Sequence, residues 1–219
     1  MTGVFSTTRR RTVAAAVATA TTFAALAAVS TSASASDTAR EAAGAKKPAA
    51  VARVSGQARI SYAYSPKDEI RFSVDAQSAP FSRPVDQFPM GMPTDARGKV
   101  TIYHWSPGKK EARRGEAAVD CLVTGGDTAT LTAVVTTSQD PKEIGTRMGF
   151  SVRTGGPGKG RFGFHLGVSN LDVVDGKAVM PHVGTCMAPA PFAPVAEGGF
   201  TVRHAELPPL PAGWPGREH

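Results

Sequence analysis

Two cysteines and five histidines carry the widest chemical repertoire in this 219-residue chain. Cys121 lies in the stretch GEAAVDCLVTGGDTATLTAVV, and Cys186 stands four positions after His182. A thiol beside an imidazole is the pattern of a nucleophile with its base. That chemistry requires a basic, partly exposed setting for the sulfur. The competing use of the two sulfurs is a disulfide. The imidazoles are His104, His165, His182, His204 and His219, with no His-x-His or His-Glu-x-x-His pair among them. A zinc or copper site would need three or four ligands converging from distant strands. His104, His165 and His204 fall in strand-like stretches and could meet inside a barrel.

Other chemistries find little purchase. The nucleophile elbow Gly-x-Ser-x-Gly is absent. Residues 155–160 are rich in glycine, but Lys159 is followed by Gly160 rather than Ser or Thr. They lead into a strand, so no helix N-terminus meets a phosphate. They read as a hairpin loop. Asp172 and Asp175 lack the alternating oxygen ligands of a calcium loop, and Asp175-Gly176 reads as a turn. Basic residues cluster at Lys109, Lys110, Arg113 and Arg114, and again at Arg147, Arg153, Lys159 and Arg161. Both clusters suit anionic polymers or lipid headgroups, and both suit a plain solvated face.

Address decides the cysteine chemistry. Arg9, Arg10 and Arg11 precede an uncharged Ala-, Val- and Thr-rich segment, residues 12–30, and Ala33-Ser34-Ala35 then matches a small-x-small cleavage pattern. This is the layout of a secretory signal peptide cut near Ala35. The segment is long enough to span a bilayer, but its Ala and Thr content makes a weak anchor. The mature chain is expected to carry no transmembrane segment and to be extracellular. Export exposes both thiols to oxidising conditions, and an even count in a secreted chain points to pairing. Cys121 and Cys186 are expected to form one disulfide closing 65 positions. The chain-entropy contribution of such a loop is about 4 kcal/mol.

The formal net charge of +7 falls to +4 without the three arginines of the first 35 residues. That balance does not by itself indicate nucleic-acid binding. The remaining 184 residues suffice for one domain with a real core.

The elements that would position these groups read as strands. Residues 36–54 form an Ala-, Lys- and Pro-rich flexible leader. From Gln57, apolar residues recur with period two: Ile60, Tyr62 and Tyr64, then Ile70, Phe72, Val74 and Ala76 after the turn Ser65-Pro66-Lys67-Asp68. Side chains on a strand alternate between faces, so each set marks one buried face. In residues 99–105, Val100, Ile102 and His104 share one face, and Tyr103 and Trp105 the other. Ala117, Val119, Cys121 and Val123 are expected on one face, as are Ala129, Leu131, Ala133 and Val135 after the turn at Gly125-Gly126-Asp127. Further strands are expected over 145–153, 161–167 and 199–207. Residues 79–98 hold four prolines among Phe81, Phe88, Met90 and Met92. Those prolines exclude a central strand, so the segment reads as a long loop packed on the domain. Residues 187–198 form a second Pro-rich crossing, and 208–219 a Pro-rich tail expected to fray.

The expected fold is all-β: an antiparallel small β-barrel or sandwich of about seven or eight strands with one disulfide. The expected division is signal 1–35, leader 36–54, β-domain 55–207 and tail 208–219.

The order of motifs carries a resemblance. Gly56-Gln57-Ala58 is followed by Ile70-Arg71-Phe72-Ser73-Val74-Asp75-Ala76, Gly98-Lys99-Val100, Val119-Asp120-Cys121-Leu122, Ala133-Val134-Val135, Ile144-Gly145 and Phe150-Ser151-Val152. Over residues 54–207 this resembles small exported proteins of high-GC Gram-positive bacteria labelled repetin-like or hypothetical. It is similar also to the cell-surface domain called post-COAP. The resemblance implies a surface β-domain and brings no catalytic residue with it.

The sequence therefore points to a secreted, non-catalytic β-domain that binds something or belongs to the envelope. The alternative is an exported small-barrel enzyme of cyclase or isomerase type using a His/carboxylate pair. Phe81, Phe88, Met90, Met92, Tyr103 and Trp105 are the candidate ligand contacts, since pockets are mostly apolar with a few polar groups. The ligand would enter a barrel mouth or pass under residues 79–98. The expected partner is a small apolar ligand or an anionic cell-wall polymer, with neither nucleic acid nor cofactor, and no metal-ligand residue is assigned.

Overall fold

A computed structural model of the chain describes residues 50–155, 160–165 and 171–215. The signal segment and residues 36–49 of the leader lie outside the described residues. Eight strands close an antiparallel barrel: β1 (Arg53–Ile60), β2 (Glu69–Ser78), β3 (Ala96–Ser106), β4 (Glu111–Gly125), β5 (Thr128–Ser138), β6 (Arg147–Arg153), β7 (Arg161–Phe164) and β10 (Ala193–Arg203). β1 to β7 run as a meander, each paired with the next, and β10 closes the barrel between β7 and β1. Closure leaves no open sheet edge in the barrel. β8 (Asp172–Val174) and β9 (Lys177–Val179) form a separate two-stranded hairpin.

The period-two pattern sets which side chains enter the barrel. In β2, Ile70, Phe72, Val74 and Ala76 are buried while Arg71, Ser73 and Asp75 are exposed. Directly opposite Ile70, Phe72 and Val74 in β3, His104, Ile102 and Val100 share the inward face, while Gly98, opposite Ala76, is exposed. Phenylalanines fill the interior. Phe72 stacks on Phe162 at 4.5 Å between ring centroids and meets Phe150 at 5.9 Å. Phe162 stacks on Phe200 at 5.2 Å. Phe72, Phe150 and Phe162 are at most 2% exposed. Each such side chain removed from water contributes about 1.5–3 kcal/mol.

The barrel resolves the choice left open between barrel and sandwich, and several boundaries move. Arg53 and Val54, expected in the leader, begin β1. Tyr62 and Tyr64 lie beyond the end of β1, in the connection to β2. β10 starts at Ala193, inside the expected Pro-rich crossing. Trp214 of the expected frayed tail stacks on Phe88 at 5.0 Å and donates its indole N–H to Gly91 O at 3.1 Å. The β8–β9 hairpin was not expected as strands. Its turn was, and Asp175 and Gly176 both adopt positive φ, 51° and 72°. Two consecutive positive φ values are the signature of a type I′ hairpin turn.

The largest correction concerns β4. Its ladder to β5 skips one residue between Val119 and Cys121, so Asp120 is an extra residue. A bulge shifts the alternation by one. Ala117, Val119 and Leu122 therefore point into the core, whereas Cys121 pairs with Thr132 on the outer face. Cys121 bonds Cys186 there, as expected, with the Cα atoms 5.4 Å apart.

The disulfide holds residues 183–192 as a strap against the outside of β5, β6 and β7. Thr132 Oγ1 accepts from Cys186 N–H at 3.1 Å and donates to Asp120 Oδ1 at 2.5 Å. Arg147 pairs with Asp120 at 2.7 Å and donates to Val183 O. Ser151 donates to Pro189 O, and Arg161 to Pro191 O and Phe192 O. Two glycines let the strap lie flat. A Cβ at Gly149 would sit 2.0 Å from Met187 O, and one at Gly163 would sit 2.5 Å from Ala190 O.

Candidate functional site

The expected contact residues do not form one site. Phe81, Phe88, Met90 and Met92 lie in the Pro-rich loop at the end of the barrel where β3 begins. Tyr103 and Trp105 lie near the other end of β3. Nine residues of strand separate Ala96 from Trp105, about 30 Å at ~3.3 Å per residue. The loop is a built structure. Asp95, 4% exposed, accepts from the backbone N–H of Ser82, Arg83 and Met92 at 3.1, 2.8 and 3.0 Å. Phe88 is covered by Trp214 from the chain's own tail. A ligand inside the barrel would have to displace the phenylalanine rings.

Tyr103 and Trp105 belong to a different surface. Outward positions of β10, β1, β2, β3 and β4 align in cross-strand rows. One row runs Glu197, Arg59, Arg71, Tyr103, Arg114 across five strands. The Arg114 guanidinium lies over the Tyr103 ring at 5.2 Å, a cation–π contact. Trp105 stands two residues along the same face, opposite Glu69 and Ala112.

Carboxylates fix the arginines. Arg71 bonds Glu69 at 2.6 Å and Glu197 at 3.4 Å, and Arg59 bonds Glu197 at 2.9 Å. The hydrogen bond that Arg71 donates to Glu69 raises its pKa further, so it stays charged. The hydrogen bond and charge of Arg59 hold Glu197 below the usual carboxylate range. At the opposite end of the face, Arg203, Arg53, Gln77 and Arg97 form a second row, with Arg53 bonded to Asp75 at 2.8 Å. A recess of about 270 Å³ opens there, lined by Arg53, Asp75, Gln77, Arg97 and Gly98. Between the rows lie Gln57, Ser73, Thr101 and Glu116, then Thr201, Ser55, Asp75 and Lys99.

The two expected basic clusters fare differently. Arg114 joins the row just described, and Arg113 bonds Glu111 at 3.1 Å. Of the second cluster, Arg147 and Arg161 hold the strap, and Arg153 stands 3.8 Å from Asp127. Lys159 lies outside the described residues.

The histidines do not meet. His104 and His204 stand at opposite ends of the barrel, and His165 is buried just after β7. Among the described residues, no three His, Cys, Asp or Glu side chains are grouped to hold a metal ion. His104 Nε2 lies 2.7 Å from Asp68 Oδ2, and Ser106 donates to Asp68 Oδ1 at 3.3 Å. That is a His/carboxylate pair at one barrel end, with the imidazole about a third exposed. His204 contacts Thr124 Oγ1 at 3.0 Å and Glu206 at 3.0 Å. His165 is 3% exposed, and neither ring nitrogen has a hydrogen-bond partner. Burial lowers its pKa. Tyr62 Oη is likewise buried without a partner, and burial raises its pKa.

Sequence reasoning missed Arg53, Arg59, Arg71 and Arg97. Their signal was present: each alternates with a buried Val, Ala, Ile or Phe on its own strand. They are scattered along the chain, and only the sheet brings them into rows. No helix among the described residues is long and apolar enough to cross a membrane. No protein-family model matches the chain, and neither a curated protein nor a solved structure matches it.

Proposed function

We propose that this chain is an exported, non-catalytic binding domain that acts through the outside of its barrel and associates with the cell envelope. The observation that carries the reading is the row Glu197–Arg59–Arg71–Tyr103–Arg114 on an open sheet face, beside Trp105. Rigid strands hold it, ion pairs orient its arginines, and aromatic and Arg side chains are the residue types that dominate binding energy. A lumen filled by Phe72, Phe150 and Phe162 favours exterior contacts over a small apolar ligand held inside. Export supplies the oxidising compartment that the Cys121–Cys186 bridge requires.

Fractionation of expressing cells tests this. The protein should appear outside the cytoplasm, shortened near Ala35, with no free thiol in denaturant. Tyr103→Ala with Trp105→Ala should shift it from the envelope fraction to the medium. Retention in the cytoplasm, or unchanged envelope association of that variant, sinks the reading.

The His104–Asp68 pair supports a second reading, an exported enzyme. Asp68 would fix the imidazole and its other nitrogen would act as general base. The two readings part at His104→Ala. The binding reading predicts an unchanged small-molecule profile in the medium, and the enzyme reading predicts accumulation of a substrate.

A further inference from the structure

The face built by β10, β1, β2, β3 and β4 has a charge pattern that selects among polymers. It presents seven cations (Arg53, Arg59, Arg71, Arg97, Lys99, Arg114, Arg203) and four carboxylates (Glu69, Asp75, Glu116, Glu197) at outward positions. All four carboxylates sit in ion pairs with those cations. The excess is positive, and it is gathered at the two ends of the face. From Arg59 to Arg53 along β1 is six residues, about 20 Å at ~3.3 Å per residue. Between the rows, Gln57, Ser73, Thr101, Ser55 and Thr201 offer amide and hydroxyl groups beside Asp75 and the Lys99–Glu116 ion pair.

We propose that this face binds an extended glycan carrying spaced carboxylate groups, lying along the strands and touching both arginine rows. The inference rests on the exterior-binding reading above and names its partner. Three features favour such a polymer. Guanidinium groups match carboxylates in planar, two-pronged geometry. Sugar hydroxyls suit the amide and hydroxyl groups between the rows, and the apolar faces of sugar rings suit Tyr103 and Trp105.

The test measures binding of full-length mature protein to four probes: polygalacturonate, neutral dextran, inorganic polyphosphate and single-stranded DNA. Polygalacturonate should bind, and more weakly as salt rises. Dextran should not be retained. Arg71→Ala and Arg114→Ala are exposed positions and should each weaken binding about five- to tenfold, the effect of losing one charge-assisted contact. Arg53→Ala with Arg97→Ala should weaken binding of long polygalacturonate while leaving digalacturonate, which reaches one row only, unchanged.

The proposal is overturned if polygalacturonate binds no better than dextran. It is overturned equally if the arginine variants bind like the parent, or if polyphosphate or DNA binds more tightly. If Arg71→Ala releases the protein from the envelope fraction while polygalacturonate fails to bind, the glycan assignment falls and the exterior reading stands. If the exterior variants leave envelope association unchanged, the exterior reading itself falls.

Discussion

Gly149→Ala is the sharpest probe of the strap. Its Cβ would stand 2.0 Å from Met187 O and 2.9 Å from Ala188 Cα, both backbone atoms. The strap must lift by about 1 Å to admit one methyl group, and overpacking of this kind costs about 1–3 kcal/mol. Cys186 lies one residue before Met187, so the disulfide resists that movement. In a Cys121→Ala, Cys186→Ala background the strap keeps only its hydrogen bonds and can yield. Removing the bridge alone should cost about 4 kcal/mol. Adding Gly149→Ala to that background should cost below about 1 kcal/mol, a coupling of the size seen between residues in contact. Urea unfolding of all four proteins gives the cycle, provided the m-values agree. Equal costs of Gly149→Ala in both backgrounds would show that the disulfide does not press the strap onto β6. No cost in either would show that the strap does not lie there.

Other consequences follow from single groups. Asp95→Ala leaves three backbone N–H groups without their acceptor, which should cost about 2–4 kcal/mol and open residues 79–94 to limited proteolysis. His165 has a folded pKa below its unfolded value of about 6.5 because burial disfavours the cation. Its neutral form is favoured in the fold, so stability is present above about pH 6.5 and is lost as pH falls toward the folded pKa. His165→Leu should flatten that acid limb by up to about 1.4 kcal/mol per pH unit, read from denaturant midpoints across pH. Trp214→Ala should lower stability by about 1 kcal/mol and quench the indole contribution to Phe88 packing, seen as changed shifts of the Phe88 ring by NMR.

Much of the fold was legible because a barrel strand must alternate. β2 and β5 follow their apolar period without interruption, and the Asp175-Gly176 turn follows from its residue types. The disulfide was legible from the even cysteine count together with the export that residues 1–35 lead one to expect. Three features were not. The bulge at Asp120 exists because a buried carboxylate finds Thr132 and Arg147, partners 12 and 27 residues away. The glycines at 149 and 163 read locally as weak strand positions, and only the strap explains them. β8 and β9 are too short for a period to show. For the site, Tyr103 and Trp105 were legible as an outward aromatic pair. The arginines beside them were not, because cross-strand rows depend on register, and register emerges only when the barrel closes.

The central claim is that the protein binds through the outer face of β10–β1–β2–β3–β4 and not through its interior. Two-dimensional NMR of the mature protein titrated with polygalacturonate tests it most directly. The account predicts shifts at Arg59, Arg71, Tyr103, Arg114 and the Trp105 indole, with Phe72, Phe150 and Phe162 unmoved. Shifts centred on those phenylalanines, or on Phe81, Phe88, Met90 and Met92, or no shifts at all, would contradict it.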